Sequence, residues 1–224
     1  MNHEGVRPGI AGSGIQAVVF DYGKVICFSP PESVMDELAA LAGLDRQILE
    51  SLVWSHRGEY DRGVINGKDY YRDLLATQGI SLDDGVLAKM VDIDLYSWTR
   101  VNPGTLALME DIKRAGLTLG ILSNMPREFL ELARKTLPVF KLPDVGLYSC
   151  EAGFIKPEEA IYKALLSALG CNPEAVVFFD DLLDNVEKAS RLGIKAFVWR
   201  DPDTARKHLE QLGLFIGGVR HGSF

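Results

Sequence analysis

Five short runs limit what this chain can fold into: "IQAVVFD" (15–21), "LTLGILSN" (117–124), "VGLYSC" (145–150), "AVVFFDD" (175–181) and "IKAFVW" (194–199). The first, second and fourth are continuously apolar. A strand apolar on both faces needs cover on both sides, as in a parallel sheet. Before, between and after the last four runs lie stretches with helical spacing. In "NPGTLALMEDIKRAG", Leu106, Met109 and Ile112 share one side and Gly116 ends the helix. "PREFLELARKTL" (126–137), "KPEEAIYKALLSALG" (156–170), "DNVEKASRLG" (184–193) and "PDTARKHLEQLG" (202–213) also read as helices. Strands alternating with helices predict an α/β fold, a doubly wound parallel sheet of the Rossmann-like kind.

Residues 28–99 break this alternation. "PPESVMDELAALAG" begins with proline and ends with glycine, and Val34, Leu38, Leu41 and Leu44 fall at helical spacing. "DRQILESLVWSH", "NGKDYYRDLLATQG" and "SLDDGVLAKMVDIDLYSW" continue in helical register, with no convincing strand. The expected organisation is a core of 15–27 and 100–213 with a helical insertion at 28–99. The Gly-rich, polar segment 1–14 is expected to be disordered, and 214–224 to be a C-terminal tail.

Composition removes several function classes. A net charge of −7 gives no electrostatic footprint for nucleic acid, and no basic cluster suggests an anionic membrane surface. No apolar run approaches the roughly 20 residues of a membrane span. Cys27, Cys150 and Cys171 are few and not in metal-ligand spacing, which fits a reduced, cytoplasmic setting.

In open α/β sheets ligands bind beyond the carboxyl ends of the strands. The residues there are Asp21, then Ser123-Asn124, then Lys156 after the third run, then Asp180-Asp181. Singly, each has an ordinary structural reading: turn or cap for the aspartates and the Ser-Asn pair, a solvated lysine for Lys-Pro. Together they are the groups a metal-dependent phosphoryl site needs. Carboxylates hold Mg²⁺, serine and lysine hold phosphate oxygens, and a carboxylate attacks phosphorus.

In this order the segments "VVFDYGKVI", "GILSN", "GFIKPEEAIY" and "VVFFDDLLDNVEKASRLGI" resemble the four motifs of the haloacid dehalogenase (HAD) superfamily of phosphohydrolases, over about residues 15–200. The helical block at 28–99 is similar to its C1 cap. The resemblance implies a Rossmann-like core under a mobile lid, Mg²⁺ as cofactor and a small-molecule phosphate ester as substrate. It implies Asp21 as the nucleophile that becomes an aspartyl-phosphate. Asp21, the backbone carbonyl of Gly23 and Asp181 would bind the metal, and Asp180 would orient metal-bound water. Ser123 and the Asn124 backbone N–H would hold the phosphoryl oxygens. Lys156 would neutralise the charge between Asp21 and the phosphate, without which a carboxylate cannot easily approach a dianion.

The sequence departs from the family pattern at Gly23, where most family phosphatases carry the aspartate that protonates the leaving oxygen. Losing a general acid–base typically costs a factor of about 10²–10⁴ in rate. The favoured reading is a phosphatase whose substrate, water or cap makes up the loss. The "DxGxV" form resembles bacterial α-glucose-1-phosphatase-like proteins, which makes a sugar phosphate one candidate. The alternatives are a non-catalytic phosphate-binding or regulatory protein and a haloacid dehalogenase proper. The last does not keep the acidic pair that stands here at Asp180-Asp181. In the cap, Trp54 and Tyr60 are expected to pack the interior while Arg57 and Arg62 are solvated. Against that reading, His56 or Arg57 would contact substrate, and His56 would replace the missing acid.

Overall fold

The computed structural model describes residues 13–216. Five strands form one parallel sheet: β1 (Ala17–Phe20), β2 (Thr118–Ser123), β3 (Val145–Tyr148), β4 (Val176–Asp180) and β5 (Lys195–Val198), in the order β3-β2-β1-β4-β5. The chain moves outward from β1 to β2 and β3, then returns to β1's other side as β4. That reversal makes the carboxyl end of β1, where Asp21 stands, the topological switch point.

Every residue of β1 is fully buried, and its side chains alternate between two cores. Val18 and Phe20 pack with residues of α6 (Pro103–Arg114), α7 (Arg127–Thr136) and α11 (Pro202–Gln211). Ala17 and Val19 pack with Ile161, Tyr162 and Leu165 of α9 (Glu159–Leu169) and Ala189 of α10 (Leu183–Arg191). Cover on both faces is why the run reads as continuously apolar. The helix expected at 156–170 begins only at Glu159, so Lys156 and Pro157 lie in the loop before it. Proline disfavours a helical conformation at the residue preceding it. The third run gives strand only to Tyr148; Ser149–Ala152 turn into a short helix, α8.

The insertion contains five helices: α1 (Glu32–Ala42), α2 (Arg46–Ser55), α3 (Arg57–Asp61), α4 (Gly67–Ala76) and α5 (Asp84–Ser97). Its two connections to the core run side by side. Phe28 N–H donates to the Arg100 carbonyl and Asn102 N–H to the Ile26 carbonyl, both at 2.9 Å. Leu214 and Ile216 are buried against the main core, so the fold continues at least to Ile216 rather than ending at residue 213. The expected disorder of 1–14 falls mostly on residues 1–12, which lie outside the described residues, as does the rest of the expected tail. No helix among the described residues is long and apolar enough to cross a membrane.

Candidate active site

The apolar strand β1 delivers one carboxylate to its carboxyl end. Asp21 is 7% exposed, and its Oδ1 accepts the Tyr22 backbone N–H at 2.7 Å. The chain then turns sharply through Tyr22–Ile26, where Lys24 adopts a left-handed conformation with φ of 57°. β4 delivers the second group. Asp180, fully buried, has both oxygens occupied: Oδ1 accepts Leu182 N–H and Asn185 Nδ2, each at 2.9 Å, and Oδ2 accepts Lys156 Nζ at 2.6 Å. Asp181, one residue on, lies 3.7 Å from Lys24 Nζ and is otherwise turned to the cavity.

Lys156 is the hub. Its ammonium group, 1% exposed, lies 2.8 Å from Asp21 Oδ1 and 2.6 Å from Asp180 Oδ2. The loop that carries it is fastened to the end of β2. Asn124 Oδ1 accepts the Lys156 N–H at 2.8 Å, and Asn124 Nδ2 donates to the Lys156 carbonyl at 3.0 Å. Ser123 is buried, and among the described residues its hydroxyl makes only a 3.5 Å contact with the Asn124 carbonyl, too long for a good O–H···O bond. That hydroxyl faces a cavity of about 710 Å³, which Asp21, Asn124, Lys156 and Asp181 also line.

One ammonium cannot fully neutralise two buried carboxylates. Asp180 has three donors, so the shortfall falls on Asp21. Burial pushes the Asp21 carboxyl up to about 7; Lys156 opposes this, and Asp180 and Asp181 add to it. Burial works against the Lys156 charge, but the two carboxylates outweigh it and hold the ammonium above its ordinary range. Asp181 is also raised, chiefly by burial and then by the charge of Asp180. One oxygen from each of Asp21, Asp180 and Asp181 lies within 4.8 Å of the others. A buried cluster of hard oxygen donors with too little positive charge suits a small hard divalent cation such as Mg²⁺.

The helical insertion supplies the opposite wall of the cavity. Trp54, Arg57, Asp61 and Trp98 line it opposite Asp21 and Ser123. Arg57 is not solvated: its side chain is 12% exposed, with Nε 3.0 Å from Asp61 Oδ1 and Nη1 2.7 Å from Asp94 Oδ2. Trp54 does not pack the cap interior but stands half-exposed at the mouth, edge-on to Trp98. Tyr60 is buried as expected. Arg62 pairs with Glu158 and also donates to the Gly153 carbonyl, which ties the helical insertion to the loop on both sides of Lys156. His56 is exposed; its Nδ1 lies 3.0 Å from the Leu52 carbonyl, and it does not line the cavity. The structure therefore brings together Asp21, Gly23, Ser123, Asn124, Lys156, Asp181 and Arg57, with Asp180 directly behind, and leaves His56 outside. Sequence reasoning missed Asp61, Asp94 and Trp98. The i,i+4 spacing of Arg57 and Asp61 on one short helix was the one available signal.

A family model described as haloacid dehalogenase-like hydrolase matches residues 15–193. Phosphatase MT3486 of Mycobacterium tuberculosis (strain CDC 1551 / Oshkosh) is 28% identical over 223 residues, covering 92% of this chain and 98% of that protein. Sesquiterpene phosphatase astK of Aspergillus oryzae (strain ATCC 42149 / RIB 40) is 24% identical over 197 residues, covering 88% of this chain and 96% of that protein. The fold is similar to that of HAD family enzyme BT-2542 from Bacteroides thetaiotaomicron, solved in complex with magnesium and inorganic phosphate. The TM-score is 0.66 at 19% identity, over 84% of this chain and 95% of that one.

Proposed function

The chain belongs to the haloacid dehalogenase-like hydrolases, and from that membership we propose that it is a Mg²⁺-dependent phosphatase of small phosphate esters working through an aspartyl-phosphate on Asp21. The observation that carries this reading is the sharing of one buried ammonium, Lys156, between Asp21 and Asp180 beside the free Ser123 hydroxyl. A carboxylate so placed is a nucleophile with its cation in position. Ser123 and the Asn124 N–H bind phosphoryl oxygens, and Lys156 offsets the charge as Asp21 approaches phosphorus. Asp180, whose oxygens are held by protein donors, anchors Lys156 and the start of α10 rather than ligating directly. Asp21, the Gly23 carbonyl and Asp181 would hold Mg²⁺, which when bound supplies Lewis-acid charge at the transferring phosphoryl group.

Relatives named as phosphatases and a neighbour holding magnesium and phosphate support this reading. The three-carboxylate cluster supports it over the metal-independent dehalogenase alternative. The leaving group of the ester lies against Trp54, Trp98, Phe129, Ile155 and Leu182. Their flat, apolar faces accept the ring of a sugar phosphate or a larger apolar group. The test is phosphate release from para-nitrophenyl phosphate and a panel of sugar and alkyl phosphates, with Mg²⁺ and with chelator. Turnover that needs Mg²⁺ and disappears in Asp21→Asn is expected. Turnover retained in that variant would refute Asp21 as the nucleophile.

A further inference from the structure

Gly23 removes the usual proton donor, and the turn Tyr22–Ile26 that holds it carries no carboxyl to replace it. The cap does. We propose that Asp61 is the general acid–base of this site, supplying from α3 the proton that Gly23 cannot; the inference rests on the phosphatase reading above.

Position is the first argument. The backbone carbonyl of Asp61 accepts the Ser149 hydroxyl, and Ser149 Oγ in turn accepts Met125 N–H at 2.9 Å, two residues past Ser123. The next residue, Arg62, binds Glu158, whose Oε2 accepts the Ile155 N–H at 3.1 Å, one residue before Lys156. Asp61 is thus fastened to both loops that would grip the phosphoryl group, and it lines the cavity they share. A leaving oxygen directed away from Asp21 points toward the cap.

Charge is the second argument. Arg57 is shared by two carboxylates, as Lys156 is. Asp94 receives Arg57 Nη1 and also Trp98 Nε1 at 3.2 Å, whereas among the described residues the Asp61 carboxyl receives only Arg57 Nε. One guanidinium between two shielded carboxylates leaves proton affinity on the less well bonded one. Its side chain is 13% exposed, enough to meet a ligand and too little for water to level its affinity. The charged groups facing it are Arg57 on its own helix, Asp94 on α5 and Lys156 on the core loop. Burial raises the Asp61 carboxyl, Arg57 and Lys156 oppose the rise, and Asp94 adds to it.

The chemistry balances. Asp21 forms its bond to phosphorus as the ester P–O bond breaks, and the Asp61 proton passes to the departing oxygen, releasing an alcohol. The Asp61 carboxylate left behind is held by Arg57. A water then adds to phosphorus and gives its proton back to Asp61, while the Asp21–phosphorus bond breaks and hydrogen phosphate leaves.

The test compares kcat/KM of the parent and Asp61→Asn, with Mg²⁺, on benzyl, phenyl and para-nitrophenyl phosphates. This parameter reports the first irreversible step, in which leaving-group protonation falls. A loss of about 10²-fold is expected on benzyl phosphate, shrinking through phenyl to the nitrophenyl ester, whose leaving group needs a proton least. The alkaline limb of the parent's pH profile on benzyl phosphate should vanish in the variant. If Asp61→Asn does not fold, Asp61→Glu keeps the charge, and its displaced carboxyl should show the same graded loss. An equal loss on all three esters, or an unchanged alkaline limb, overturns the proposal. A parent inactive on every ester overturns the phosphatase reading itself, which separates the two failures.

Discussion

Replacing Lys156 with methionine should unfold this protein far more readily at pH 8 than at pH 5. Methionine fills most of the same volume, so the change removes charge rather than packing. The ammonium sits 2.8 Å from Asp21 and 2.6 Å from Asp180. At an effective dielectric of about 20 each contact is worth roughly 6 kcal/mol of gross attraction, most of it offset by desolvation. Removing one member of such a buried cluster leaves unpaired charge and costs about 3–5 kcal/mol. At about 2–4 °C per kcal/mol for a chain of this size, the melting temperature falls by roughly 6–20 °C. The sign with pH follows from Asp21, whose carboxyl is raised to about 7 in the folded protein. A raised carboxyl binds its proton more tightly when folded, so its favourable contribution is full below the unfolded value of about 4 and is lost as pH rises through 7. Without Lys156 the rise is larger and the loss steeper, so parent and variant diverge from pH 5 to pH 8. Thermal melts in chelator, followed by circular dichroism, measure this. Equal melting temperatures at pH 8, or a gap of the same size at both pH values, would refute the shared-ammonium account.

Three further outcomes are expected. Mg²⁺ should raise the melting temperature of the parent by mass action, and Asp181→Ala should remove that shift, as read by titrating Mg²⁺ into thermal melts of each protein. Arg62→Ala should cost less than about 1 kcal/mol, because the Arg62–Glu158 pair is partly solvated. It should nonetheless raise KM, by freeing the cap from the Lys156 loop; steady-state kinetics beside a melt separates the two effects. Gly63 has φ of +72°, and an added Cβ would lie 3.0 Å from the Cys150 carbonyl oxygen. Gly63→Ala should therefore destabilise by about 1–3 kcal/mol in a denaturant melt.

Much of this protein was legible from its sequence because the signals are local. A strand buried on both faces must be apolar throughout, so Val18, Val19 and Phe20 announce β1, and the first polar residue after them marks the sheet's mouth. The same reasoning located Ser123 and Asp180-Asp181, and the motif order supplied Lys156. What pairs with what is set by distances across the chain. Asn124 fastens a loop 32 residues away, and Arg57 reaches 37 residues to Asp94. No periodicity encodes such contacts, and so Arg57, though considered for the site, was expected in solvent and Trp54 in the cap core. The apolar runs alone determined the sheet, the inserted cap and the row of chemical groups at the strand ends. Only the folded chain decided which carboxylates share a cation and therefore which are left short of charge. Neutralisation is a property of three-dimensional neighbours, and in this protein it singles out Asp21 in the core and Asp61 in the cap.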